Sequence, residues 1–467
     1  MSGRPSFFVA ALLLSITFIQ GRAQAVASPK LFVIWDARGK FGYMDSSGEV
    51  VIKPQFDEAY PFSEGVGAVR IGNRAGFIDA SGRLVVPLRY DTAYPFSDGL
   101  AAVSVTEGSG KNRHYPCGYI DHSYRFVIKP QTKFSCGEPF HEGFAVVSVY
   151  DDGYSESLST YLNKEGKFAV AGRLAVAKPF SEGLALVNDF AKWYLVNREG
   201  QTVIDLRPKN RADTFADVAV PDGSFSEGLA KVGIIVEGSS GYSRFAYMNR
   251  RGDIVFKLPE QVRAKGDFHQ GRASVLQMKT ERVQVELGNG ERIEMGVDVS
   301  AYGYVEARGK MAIAPKFSEA GDFSEGLAAV RTGKLQPTDR RDLAGSAAES
   351  YFDRDDGRWV CIDRSGAVVI KQCGEPLSYV ELVDKFPYFE EQFGKGFVDG
   401  LFLNKTRVGR TTLYGYQDKT GKYVWIQPHG KGVVLPRRWR IGQSADTSAQ
   451  SKEGFLSRAI HLRPSGH

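Results

Sequence analysis

Four cysteines, seven histidines and a recurring Ser-Glu pair are the residues of this 467-residue chain whose chemistry could reach beyond packing. Cys136-Gly137-Glu138-Pro139 and Cys373-Gly374-Glu375-Pro376 share a local pattern, while Cys117 and Cys361 stand four and two residues before Asp121 and Asp363. Offsets of equal parity place both partners on the same strand face, so the correspondence favours disulfides Cys117–Cys136 and Cys361–Cys373. By the chain-entropy argument, loops of this length contribute about 3 kcal/mol each. Metal binding is the rival use of thiols, but the chain contains no C-x-x-C.

The histidines are His114, His122, His141, His269, His429, His461 and His467. His141-Glu142 lacks the second histidine of an H-E-x-x-H zinc helix, and His114 with His122 near Cys117 makes only a weak constellation. The pairs Ser63-Glu64, Ser181-Glu182, Ser226-Glu227 and Ser324-Glu325 invite an acid–base reading. A catalytic set is needed once, however, and this one recurs. The structural expectation is that Phe enters the core, Ser and Glu cap backbone groups in the turn, and Gly closes it. Arg251-Gly252-Asp253 falls on a turn glycine, and Asp353-Arg354-Asp355-Asp356-Gly357 departs from the spacing of a calcium loop. No G-x-S-x-G, P-loop or G-x-G-x-x-G is present. Asn404-Lys405-Thr406 is a glycosylation sequon, relevant only in a eukaryotic source. The reading is therefore no catalytic, cofactor-binding or metal-binding residue, and no cofactor.

The elements that position these residues come from an internal repeat. Gly42-Tyr43-Met44-Asp45 through Phe62-Ser63-Glu64-Gly65 returns 34 residues later as Gly76-Phe77-Ile78-Asp79 through Phe96-Ser97-Asp98-Gly99. Following the polar residue that ends this strand gives Asp45, Asp79, Asp121, Asn163, Asn197, Asn249, Glu306, Asp363 and Asp418, and Gly stands three residues later in eight of the nine. Tyr124 is the exception. A polar residue able to bond its own backbone, followed by a glycine free to take positive φ, is a hairpin turn. Strand-forming runs such as Val50-Val51-Ile52 follow it, and runs such as Leu100-Ala101-Ala102-Val103 follow each Phe-Ser-Glu-Gly element.

The unit is an antiparallel meander of three strands, repeated about nine times, with a leading strand over residues 31–35 and a trailing one over 423–426. The fold class is all-β, a tandem array that is either an open superhelical solenoid or propeller-like. Nine units exceed the usual 4 to 8 propeller blades and three strands fall short of four, which leans the reading to an open or incompletely closed array.

The sequence resembles the WG-repeat (KWG) proteins, found largely in bacteria. The resemblance is carried by Gly39-Lys40-Phe41-Gly42-Tyr43-Met44-Asp45, by Val51-Ile52-Lys53-Pro54-Gln55-Phe56-Asp57-Glu58-Ala59, and by Phe62-Ser63-Glu64-Gly65. The family's Trp is absent: Phe41, Ala75 and Cys117 occupy its place in the first three units. The resemblance implies an all-β array and supplies no catalytic residues.

With 42% hydrophobic residues and 24% charged ones the composition is that of a globular chain. Arg4, the apolar run Phe7 to Ile19 and Ala23-Gln24-Ala25 read as a signal peptide over residues 1–25, cleaved after Ala25. Residues 26–430 form the array, with 51 Lys/Arg against 52 Asp/Glu, which does not support a basic nucleic-acid-binding face. Residues 431–467 form a basic tail expected to be disordered, containing Arg437, Arg438, Trp439 and Arg440. The expected location is periplasmic or extracellular, with no transmembrane segment in the mature chain.

Three insertions interrupt the repeat. The seventh unit extends its hairpin through Val283-Gln284-Val285 and Ile293-Glu294-Met295 as a two-stranded arm; residues 332–358 are polar; residues 381–396 carry Phe386, Tyr388, Phe389 and Phe393. The expected function is an exported, non-enzymatic scaffold for a protein or cell-envelope component. A glycan-binding module, using Tyr388, Trp425 or Trp439 as stacking platforms, is the alternative, and a secreted hydrolase the third reading.

Overall fold

The computed structural model describes residues 30–428, apart from residues 111–113, 137–138, 150–157, 170–173, 191, 207–217, 222–223, 236–241, 287–291, 334, 338–351, 355–356, 379–380, 382–395 and 409. The signal-peptide and tail expectations lie outside these residues.

The chain is all-β. Nine small antiparallel sheets follow one another among the described residues: sheet 1 (residues 32–56), sheet 2 (58–90), sheet 3 (92–131), sheet 4 (144–163), sheet 5 (176–205), sheet 6 (218–257), sheet 7 (262–317), sheet 8 (319–370) and sheet 9 (375–426). A separate pair, Leu335–Pro337 with Phe352–Arg354, sits at the base of the second insertion.

Sheet 2 shows how the sequence builds a unit. Gly67–Ile71 and Arg74–Ile78 pair along their length, and Leu84–Tyr90 follows the hairpin that Asp79 and Gly82 make. The Asp79 carboxylate accepts from the amides of Ser81 and Arg83, and Gly82 takes φ +83°. The third strand bulges. The equivalent register in sheet 1 pairs Tyr43 with Ile52 but Phe41 with Phe56, and a Cβ on Gly42 would lie 2.4 Å from the Ile52 carbonyl oxygen. Glycine stands there because the bulged backbone passes over it.

The strand expected to end each meander does not stop. After one residue it continues as a two-residue strand of the next sheet: Glu58–Ala59 pairs with Gly67–Ile71, and Thr92–Ala93 with Ala101–Ser104. Most sheets therefore have four strands rather than three. Crossing segments of two residues carry too little periodicity to stand out in the sequence.

Each seam between neighbouring sheets is an apolar core. Tyr60, Phe77 and Phe96 fill the seam between sheets 2 and 3, and Tyr304, Ile313 and Phe323 that between sheets 7 and 8. The core that contains Phe32, Trp35 and Tyr43 of sheet 1 also contains Leu403, Tyr416 and Trp425 of sheet 9. The Trp35 and Trp425 rings meet edge to face, 5.0 Å between centroids, and the Tyr416 hydroxyl donates to the Val33 carbonyl at 3.0 Å. The array closes into a ring, against the lean of the sequence reading toward an open one. Blade number was a poor guide. Closure is decided by whether the end faces are apolar and matched, and here both present large aromatic side chains to each other.

The Tyr416 bond has counterparts around the ring. Tyr43, Tyr161, Tyr247 and Tyr304, equivalent residues of their units, donate to the carbonyls of Tyr60, Lys178, Gly266 and Gly321 at 2.7, 2.6, 2.9 and 2.6 Å. Each bond ties one sheet to the segment entering the next.

Candidate functional site

The Phe-Ser-Glu-Gly turns lie at one end of the sheets, beside the Asp-x-x-Gly hairpins, because the strand leaving the first runs antiparallel to the strand entering the second. In every turn the acidic residue or its substitute is left-handed, from Glu64 at φ 50° to Gln270 at φ 54°. This conformation turns the side chain away from its own turn. Glu64 accepts from the Gly99 amide at 3.1 Å, Asp98 from Gly143 at 2.6 Å, Glu142 from Gly183 at 2.8 Å, Glu182 from Gly228 at 3.0 Å and Glu227 from Gly271 at 2.7 Å. Gln270 then accepts from Gly326 at 2.7 Å, and Glu325 from Gly400 at 3.0 Å. Among the described residues no further turn of this kind follows Asp399, and its carboxylate meets the Lys30 ammonium. The Ser hydroxyls follow the same rule: Ser97 donates to the Phe140 carbonyl at 2.6 Å and Ser226 to that of Phe268 at 2.5 Å. These groups were expected to cap their own turn; they cap the next one.

Side chains from the hairpins brace this circuit. His122 Nε2 lies 2.7 Å from Glu64 and stacks on Phe96, Arg198 lies 2.9 Å from Glu142, and Lys419 lies 2.9 Å from Glu325. Burial pushes the Glu142 carboxyl up, but the Arg198 guanidinium and the Gly183 amide outweigh it and hold the group below its ordinary range. The same balance, with Lys419 and Gly400, lowers Glu325. A cleft of about 370 Å³ opens here, lined by Glu142, Glu182, Gly183, Asn197, Arg198 and Arg250. Two of its three carboxylates, Glu142 and Glu182, are the ring's own ties, and the third is Glu199.

One acidic pair departs from the repeat. Where four units place Pro before the turn Phe, as Pro61, Pro95, Pro139 and Pro179, and two place Ser224 and Gly396, the units entering sheets 7 and 8 place Asp267 and Asp322. Lys231 Nζ stands 3.6 Å from Asp267, the Ser274 hydroxyl 3.5 Å from Asp322, and a Cβ on Gly266 would meet Asp322 Oδ1 at 2.2 Å. Burial, and then the Asp322 charge, raise the Asp267 carboxyl above its ordinary value, with Lys231 opposing. The broken Pro-Phe pattern was visible in the sequence and was missed there.

The cysteines are bonded as Cys117–Cys136 and Cys361–Cys373, with Cα separations of 5.3 and 5.4 Å. His114 lies in an exposed bridge with Glu107, and His122 is held by Glu64, so the two are engaged separately. Among the described residues no cluster of three or more His, Cys, Asp or Glu could hold a metal. Gly252 is a hairpin glycine at φ +87°, and of the acidic run only Asp353, Arg354 and Gly357 are described. Trp425 is buried against Trp35; Tyr388 and Trp439 lie outside the described residues.

Four stretches of the chain match the family described as WG containing repeat: residues 41–74, 76–107, 160–193 and 302–335. Each begins at or beside the strand that carries the turn-initiating Asp, Asn or Glu. The chain is a WG-repeat protein. Within this WG-repeat ring, the matched units contain the tying tyrosines Tyr43, Tyr161 and Tyr304. Comparison with curated protein sequences finds no match. A solved structure described as a eukaryotic initiation factor aligns at 10% identity and a TM-score of 0.33, covering 73% of this chain and 95% of its own. Europium-containing methanol dehydrogenase aligns at 12% identity and a TM-score of 0.29, covering 80% of this chain and 81% of its own. Scores this low bear on neither the fold nor the function of the WG-repeat chain. No helix among the described residues is long and apolar enough to cross a membrane.

Proposed function

We propose that the chain is an exported, non-enzymatic β-repeat scaffold that binds a protein or cell-envelope component through its array surface and inserted segments. The observation that carries this reading is the assignment of the recurring polar groups. The Ser hydroxyls and the Glu and Asp carboxylates that could do acid–base chemistry are engaged in joining one turn to the next. The non-repeating parts are then left for recognition. Chief among them is the arm of sheet 7, where Ala273–Glu286 and Arg292–Val305 pair over fourteen positions while their neighbours Val262–Ala264 and Met311–Phe317 reach only the base. Two disulfides accord with an oxidising compartment.

The glycan reading loses the platform it placed at Trp425, which is buried. The hydrolase reading finds its one irregular carboxylate pair, Asp267 and Asp322, already engaged by Lys231 and Ser274.

Co-sedimentation of the purified chain with insoluble envelope material, before and after protease treatment of that material, tests the proposal. Binding that falls when residues 281–298 are replaced by a short turn, with the circular-dichroism spectrum unchanged, is the expected result. Binding indifferent to that replacement and to protease would contradict a protein partner at the arm.

A further inference from the structure

The two disulfides stand in particular places on the ring. Cys361 is the residue equivalent to Tyr43, Tyr161, Tyr247, Tyr304 and Tyr416, the tyrosines that tie one sheet to the next. It bonds to Cys373, in the link between Val368–Ile370 of sheet 8 and Glu375–Pro376 of sheet 9. Cys117 of sheet 3 bonds to Cys136, which follows the Phe134 bridge into sheet 4. At that seam the equivalent tyrosine, Tyr119, is buried and its hydroxyl has no hydrogen-bond partner among the described residues. At these two seams a covalent bond stands where Tyr43, Tyr161, Tyr247, Tyr304 and Tyr416 place a hydroxyl bond at theirs, while seams 2–3 and 5–6, with Phe77 and Leu195 at the equivalent position, carry neither.

We infer that the disulfides are the pins of a redox-operated ring. Seams 3–4 and 8–9 divide the circuit into an arc of five sheets, 4 to 8, and an arc of four, 9 and 1 to 3. A dithiol reductant gives two electrons and two protons to each disulfide, becomes a disulfide itself, and leaves two cysteine thiols. With the pins broken, these seams keep their apolar cores, the turn bonds Ser97 to Phe140, Asp98 to Gly143, Ser324 to Phe397 and Glu325 to Gly400, and at seam 8–9 the Lys419–Glu325 pair and the Gln417 bond to the Gln372 carbonyl. They become redox-dependent hinge lines of the ring, and opening bares Leu100, Phe140 and Leu162 at one and Leu327, Phe397 and Phe402 at the other. The pins differ in access: Cys117, Cys361 and Cys373 are buried, whereas Cys136 is half-buried. A thiolate reaches the first seam before the second.

Hydrogen exchange read by mass spectrometry on the oxidised and dithiol-reduced full chain tests this. Reduction is expected to speed exchange by about a hundredfold in Ala101–Ser104, Phe144–Val149, Trp359–Asp363 and Leu401–Val408. Strands at the tyrosine-tied seams, such as Leu184–Asn188 and Ala273–Glu286, should not change. Alkylation at limiting dithiol should label Cys117 and Cys136 first. The paired substitution Cys117→Ala with Cys136→Ala should loosen seam 3–4 alone under oxidising conditions. Exchange that is unchanged on reduction, or raised uniformly over all seams, would overturn the inference, as would preferential labelling of Cys361 and Cys373.

Discussion

Truncating Trp425 to Ala separates a ring from an open array. In an open array Trp425, on the last strand of the last sheet, would face solvent, and its loss would cost under about 0.5 kcal/mol, the usual range for surface substitutions. In the ring it is only 8% exposed and packs on Trp35 of the first strand, 5.0 Å between ring centroids, and on Tyr416 at 5.9 Å. Removing a buried Trp costs about 3–5 kcal/mol. Trp35, only 4% exposed, should cost a similar amount when cut to Ala. Because the two rings touch, the double variant should lose less than the sum of the singles, by about 0.5–1.5 kcal/mol for an edge-to-face pair. Urea unfolding followed by circular dichroism at several protein concentrations measures all three, and concentration independence excludes contact between molecules. Additive losses, or a Trp425→Ala variant as stable as the parent, would refute closure through these residues.

Tyr304→Phe keeps the ring but leaves the half-buried Gly321 carbonyl without its donor, so stability should fall by about 1 kcal/mol in urea titration. Glu142→Gln retains an acceptor for the Gly183 amide, as Gln270 does naturally for Gly326, and should cost no more than about 1 kcal/mol through the lost Arg198 pair. Glu142→Ala also strands the amide and should cost more by the same assay. Asp267 has its carboxyl raised by burial and by Asp322, so its contribution to stability is present at acid pH and lost as pH climbs from the ordinary carboxylate range through the raised value. Asp267→Asn should therefore raise Tm at pH 7 and leave it unchanged well below pH 3.8; a lower Tm at pH 7 would show that the charge is favourable. Asp79 runs the other way: the Ser81 hydroxyl, with the amides of Arg83 and Ser81, holds it at about 2. Its contribution is complete above the ordinary carboxylate range and fades as pH falls toward 2, which Asp79→Asn should abolish in acid titration.

Local geometry was legible because it repeats. The Asp-x-x-Gly hairpins, the cysteine pairs and the strands on either side of them depend on backbone conformations that only a few residue types satisfy, as Gly82 and Asp79 do. The acceptors were not legible. Nothing in Ser63-Glu64-Gly65 says that Glu64 reaches Gly99, because its left-handed φ aims the side chain at a neighbour that the sequence places 35 residues away. Closure was hidden for a related reason: Trp35 reads as part of a leading strand and Trp425 as a candidate stacking platform until the curvature summed over all the seams brings the ends together. Asp267 and Asp322 carry the opposite signal, since they are informative by breaking the pattern that the rest of the units repeat.

The claim on which the rest depends is that the ring closes with Asp399 against Lys30, an ammonium in the place where Glu325 and the other turn carboxylates meet a glycine amide. Zero-length carbodiimide coupling of the oxidised chain, followed by peptide mapping, measures that contact directly, with the Lys419–Glu325 pair as an internal control. An intramolecular amide between Lys30 and Asp399, formed in parallel with the control link, is the predicted result. The control link without any Lys30–Asp399 product would contradict it.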